Sequence, residues 1–192
     1  MPDARRIILS AVTVAAAIGL VGCGNSRTPV PSSIIPVSSG GFRTLTYAKS
    51  GVALSAPRGW GLATGKRPLV ATVSSGDAVI ALWRFPRSTA PPADPAALGK
   101  VLSDLVSESR AREPGLRVIH ALRTRAGGAP ALELDAVERV GGQRRRVRSI
   151  HVFLAHAEIV LDEYAPLGQF RAVNRAVFSP VRRSLAPTRA SA

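Results

Sequence analysis

Two glycine pairs fix most of what this chain can fold into. Gly127-Gly128 and Gly141-Gly142 separate three stretches, 117–125, 131–140 and 143–154, each rich in β-branched and apolar residues. A two-residue loop needs positive φ at both central positions, and glycine adopts that without steric cost. Each pair therefore predicts a tight hairpin, and strands joined this way must be antiparallel neighbours. The second pair also predicts a register. With Val140 opposite Gln143, Asp135 falls opposite Arg148 and Glu138 opposite Arg145, two favourable cross-strand charge pairs.

The remaining elements follow from periodicity and breakers. Residues 43–47 and 52–56 alternate polar and apolar around Lys49-Ser50-Gly51, and Pro57-Arg58-Gly59-Trp60 ends the pair. Residues 69–73 and 78–85 make a second pair across Ser74-Ser75-Gly76-Asp77, and a last strand covers 157–164 before Pro166. Over 95–113 the period changes, with Leu98, Val101, Leu102, Leu105 and Val106 at helical spacing. Asp94 is placed to cap that helix, with Pro95 at its first position and Pro114-Gly115 stopping it. Residues 167–185 return to helical spacing through Phe170, Val173, Val177, Val181 and Leu185; Pro180 should kink or restart that helix. The order predicts an α+β domain, an antiparallel sheet with helices packed on its faces, over residues 42–185. Residues 186–192 read as a frayed tail. Trp60 and Trp83 are expected as core anchors.

The N-terminus concerns location. Arg5-Arg6, an apolar run from Ile7 to Val21 and Gly22-Cys23 make an export signal over residues 1–22. The run is shorter than the roughly 20 apolar residues of a membrane-spanning helix. Cys23 is the only cysteine, so no disulfide can form within the chain. Leu20-Val21-Gly22-Cys23 resembles the lipobox of bacterial lipoproteins, which implies that the thiol is acylated and becomes the mature N-terminus; a chance cysteine behind an ordinary secretory signal is the alternative. Two acyl chains hold a protein stably at a membrane, at about 0.8 kcal/mol per buried CH₂. Residues 23–41, with Pro29, Pro31, Pro36 and five serines, read as a tether reaching roughly 50 Å if extended.

Charge narrows the function classes. The net charge is +14, and removing Arg5, Arg6 and Asp3 leaves +13. Such a chain is normally a nucleic-acid candidate. Export argues against nucleic acid and leaves phospholipid headgroups and acidic wall polymers as the available polyanions. Arg144, Arg146 and Arg148 point to one side of a strand and form the candidate basic patch. A solvated face partly neutralised by Glu133 and Asp135 is the competing reading. No aromatics interleave with these arginines, which disfavours base stacking.

No catalytic constellation appears. His120, His151 and His156 lack zinc-type spacing, so no metal and no cofactor is expected. No serine sits in a G-x-S-x-G elbow. Glu133 and Asp135 share a strand face, as acid/base pairs can, but Arg146 and Arg148 lie across the hairpin and would take their lone pairs. An enzyme is not expected; an envelope hydrolase with an unrecognised site is the less favoured alternative.

Gly51 to Trp60, an apolar strand ending in P-x-x-W, and Gly128-Ala129-Pro130-Ala131, a G-x-P-A strand start, resemble two stations of the PsbP-like superfamily. The closing helix ending at Ser184-Leu185 is similar as well. The likeness covers about residues 42–185 and includes the LpqN-type envelope lipoproteins. It implies an α/β/α sandwich and a non-catalytic adaptor docking on protein partners. Pro180 and the scarcity of aromatics, 5% of residues, depart from the pattern. Partners differ across such a family, so the resemblance assigns no binding residue.

Overall fold

The computed structural model describes residues 41–188 except Ala93 and Gly141. The export signal and Cys23, the tether through residue 40, and residues 189–192 lie outside the described residues.

The glycine hairpins form as expected. β6 (Arg117–Ala126), β7 (Ala129–Val140) and β8 (Gln143–Phe153) are consecutive antiparallel neighbours, with Ala126 opposite Ala129 and Val140 opposite Gln143. Asp135 is paired with Arg148 and Glu138 with Arg145. Gly127 and Gly128 have φ of +55° and +80°. A Cβ at Gly127 would also run into Pro187 and the Leu185 carbonyl, so this turn needs glycine for space as well as for φ.

β8 continues into β9 (Ala157–Pro166), which pairs with β5 (Ala78–Pro86), then β4 (Leu69–Ser75) and β3 (Gly61–Thr64). The seven-stranded order is β3-β4-β5-β9-β8-β7-β6, antiparallel throughout. β3, for which the sequence offers no strand pattern, is short and exposed at the edge; its glycine and alanine give little β signal. β1 (Phe42–Tyr47) and β2 (Val52–Pro57) form a separate small sheet with β10 (Ala186–Pro187) on the far side of β2. Ala186 and Pro187 therefore do not fray as expected: they pair with Ala53 and Val52, and the Thr188 amide donates to the Gly51 carbonyl. A strand edge left open beside β2 supplies the partner.

The core lies on one face of the large sheet. Ala131, Ile150, Val152, Ile159, Leu161, Leu82, Ile80 and Val73 meet the C-terminal helix there. That helix buries the whole stripe read from sequence: Phe170, Val173, Val177, Val181 and Leu185 are all at most 6% exposed. Each such side chain contributes about 1.5–3 kcal/mol by leaving water. Trp60 packs edge-on against Phe178, at 6.5 Å and 85°. The helix runs as α2 (Phe170–Val173), a π turn (Asn174–Phe178) and α3 (Ser179–Ser184). The kink expected at Pro180 is instead a widened turn just before it. φ stays near −62° through the junction, and Pro180 sits in the first turn of α3, where no amide is needed.

α1 (Pro95–Arg112) forms as expected, with the Asp94 carboxylate accepting from the Ala97 amide at 2.7 Å. It lies over β6 and β7 on the opposite face, where Arg123 donates to the Pro95 carbonyl. None of its residues is fully buried. Its apolar stripe half-covers the sheet margin instead of entering the main core.

Candidate functional site

The basic run on β8 is dispersed by the fold. Arg145 turns to Asp77, donating to its carboxylate at 3.1 Å and to its carbonyl at 3.0 Å. Arg146 forks onto Asp135, Nε to Oδ1 at 2.7 Å and Nη2 to Oδ2 at 2.9 Å. Arg148 is 7% exposed and donates to Asp135 Oδ2 at 3.2 and 2.7 Å, with its Nε 3.2 Å from Glu133 Oε1. Both guanidinium groups also lie over the Phe170 ring, at 4.8 and 5.4 Å. Arg144 alone of the three stays exposed. Arg144, Arg146 and Arg148 share a strand side, as expected, but the inner two are sunk among carboxylates under α2. They do not form one open patch with Arg144.

This polar seam continues across the sheet. His120 Nε2 lies 3.1 Å from Glu133 Oε1 and 3.8 Å from Asp135 Oδ2. Asn174, on the same helix face as Phe170 and Val177, accepts from Arg148 Nη1 at 2.6 Å. Glu163 is wholly buried beside Arg148 on the neighbouring strand and accepts from Arg182 of α3 at 3.0 Å. Burial opposes ionisation of Asp135, but its bonds to Arg146 and Arg148 outweigh that and hold the carboxyl below its usual range. At Glu163 burial prevails over Arg182 and Arg148 and pushes the carboxyl up to about 7. Among the described residues its Oε1 has no hydrogen-bond partner.

Could the seam hold a metal? His120, Glu133 and Asp135 offer ligand atoms within 4.8 Å of one another. Arg146 and Arg148 already occupy both carboxylates, placing two positive charges where a cation would bind. The set does not fit a metal ion. The same saturation argues against acid/base work by Glu133 and Asp135.

Sequence reasoning anticipated the arginine–carboxylate pairing but not Asn174, Glu163 or Arg182. The signal was present: Asn174 stands on the apolar stripe between Phe170 and Val177, and Glu163 follows the buried run Ile159-Val160-Leu161.

The opposite face carries a second, half-buried cluster. His151 Nδ1 lies 2.7 Å from Glu158 Oε1, and Arg87 bonds the other oxygen at 3.0 Å. Ser149 donates to Asp162 at 2.6 Å, with Trp83 and Tyr164 alongside. Burial nonetheless raises the Asp162 carboxyl, and burial together with Asp162 raises the Tyr164 hydroxyl. Trp83 stacks on Phe85 at this half-exposed surface and is not part of the core that Trp60 anchors. The expectation of two core tryptophans holds for Trp60 only, because Trp83 sits on the sheet face turned away from the C-terminal helix. His156 is exposed in the β8–β9 turn.

No family model matches the sequence, and no curated protein matches it. Solved structures do match by fold. The solution structure of the cyanobacterial PsbP, CyanoP, from Synechocystis aligns with a TM-score of 0.60 at 16% identity, covering 88% of this chain and 98% of that one. The fold is PsbP-like. A second PsbP-like neighbour, the crystal structure of LpqN, involved in cell envelope biogenesis of Mycobacterium tuberculosis, aligns with a TM-score of 0.54 at 17% identity, over 81% of this chain and 91% of that one. These likenesses bear out the fold that Gly51–Trp60 and the G-x-P-A start implied.

Proposed function

We propose that this chain is a lipid-anchored, non-catalytic accessory module of the bacterial cell envelope that docks on a protein partner. The observation that carries the reading is the saturation of the polar seam. Of the residue types usual in catalysis, Asp135 and Glu133 are held by Arg146 and Arg148, and half-exposed His120 is bonded to the same carboxylates. PsbP-like architecture shared with an envelope protein supports the setting. The basic leader, the apolar run and Cys23 support export and acylation at the outer side of the membrane. No helix among the described residues is long and apolar enough to cross a membrane, so a lipid on Cys23 is the attachment this reading needs.

The test is fractionation with crosslinking in intact cells. Cys23→Ala is expected to move the folded protein out of the membrane fraction, and retention there would remove the anchor. Crosslinks placed on residues 41–188 are expected to capture one recurring envelope protein from the wild type.

A further inference from the structure

The dispersal of the β8 run leaves a different set of arginines free. Arg139 and Arg144 are direct partners across the β7–β8 ladder. Arg117 is opposite Val137, one diagonal step from Arg139 on the same side of the sheet. All three are exposed, and among the described residues none has a carboxylate at ion-pair distance. Arg139 makes one bond, to the Gly142 carbonyl at 3.2 Å. Like charges directly opposite one another cost stability. This sequence places them there beside a hairpin whose other arginines are all neutralised.

The three also line one cleft, of about 220 Å³, with Gly115, Val137 and Glu138 completing it. Three exposed arginines lining one small hollow match an oxyanion with several acceptor oxygens, since each guanidinium fork can take two. We infer that Arg117, Arg139 and Arg144 form a binding site for a phosphate group, as a monoester or diester. Glu138 is the one acidic residue of the lining. Burial, with Asp162 and Glu113 nearby, pushes its carboxyl up to about 7 against the pull of Arg145, so near neutrality it opposes an anion only in part. The site does not depend on the anchor at Cys23. It replaces the expected trio by one that keeps Arg144 and exchanges the two buried members for Arg117 and Arg139.

Two probes separate the sources of the phosphate: inorganic phosphate followed by NMR titration of the full chain in neutral detergent, and partition onto phosphatidylglycerol vesicles against phosphatidylcholine vesicles. The chain's large net charge demands a matched control. The triple variant Arg117→Gln, Arg139→Gln, Arg144→Gln is compared with Arg58→Gln, Arg67→Gln, Arg175→Gln, which removes the same charge from three exposed positions elsewhere. We expect the first triple to weaken binding at least tenfold in one or both arms and the second to weaken it less than threefold. The arm that responds names the source. Equal losses in the two triples would reduce the effect to net charge and overturn the site, as would no loss in the first. Unchanged thermal unfolding of the first triple confirms that the fold is intact.

Discussion

Arg148 and Asp135 are direct partners across the β7–β8 ladder, and Arg148 reaches Asp135 Oδ2 with two nitrogens at 3.2 and 2.7 Å while both residues are buried. Asp135 also holds Arg146, so one carboxylate answers two guanidinium groups. Removing it strands both. Asp135→Ala should lower unfolding stability by about 3–5 kcal/mol, the usual cost of leaving a buried charge without its partner. Urea denaturation measures this; a loss below 1 kcal/mol would mean that the seam is solvated.

Glu163 makes stability fall as pH rises. Its folded-state carboxyl stands at about 7 against an ordinary 4.5, so the folded protein binds the proton more tightly than the unfolded chain. Below about pH 4.5 both states are protonated and nothing is lost. As pH rises from 4.5 to 7 the unfolded chain ionises first and stability falls; above 7 the loss is constant. It amounts to roughly 3 kcal/mol, from 1.36 kcal/mol per pKa unit. The difference between wild type and Glu163→Gln should therefore shift in favour of the variant between pH 4.5 and 7.5. A parallel pair of stability curves would show that folding leaves the Glu163 carboxyl at its ordinary value.

Asn174 stands on the buried face of the C-terminal helix, one regular turn after Phe170, and meets Arg148 Nη1 at 2.6 Å. Hydrogen bonds to charged groups contribute about 1.5–3 kcal/mol. Asn174→Ala should cost about that much, and the cost should vanish when Arg148 is replaced by Met, as a double-mutant cycle would read.

The first hairpin allows a contrast between adjacent glycines. Gly127 and Gly128 both have positive φ, yet only a Cβ at Gly127 meets other atoms. Gly128→Ala should cost about 1 kcal/mol, the left-handed penalty alone. Gly127→Ala should cost more, because it also pushes Pro187 and Leu185 away and loosens β10 from β2. Equal losses in calorimetry would show that the close approach is unimportant.

Local rules were enough for much of this. The two glycine pairs, the period of 167–185 and the Asp94-Pro95 start each prescribe one element on their own, and each formed. What escaped was set by tertiary contact. β3 has no pattern of its own and exists because β4 offers an edge. Ala186 and Pro187 likewise become a strand because β2 is open beside them. The basic patch failed as an open surface for the same reason: strand parity places Arg144, Arg146 and Arg148 on one side, but which of them a helix covers is decided about 30 residues downstream, by Phe170, Asn174 and Arg182. Trp83 shows the complement, since its strand is as apolar as any but its side chain takes the face the C-terminal helix does not cover.

β1 and β10 flank β2 and run in the same direction, with Phe42 beside Pro57 at one end and Pro187 beside Val52 at the other. Tension between Gly41 and Thr188 would draw these outer strands in opposite senses along their shared middle strand. Both ladders would then be sheared, every hydrogen bond stretching at once, instead of peeling one rung at a time. A domain tugged from its two ends is loaded in shear at this small sheet before any strand can unzip.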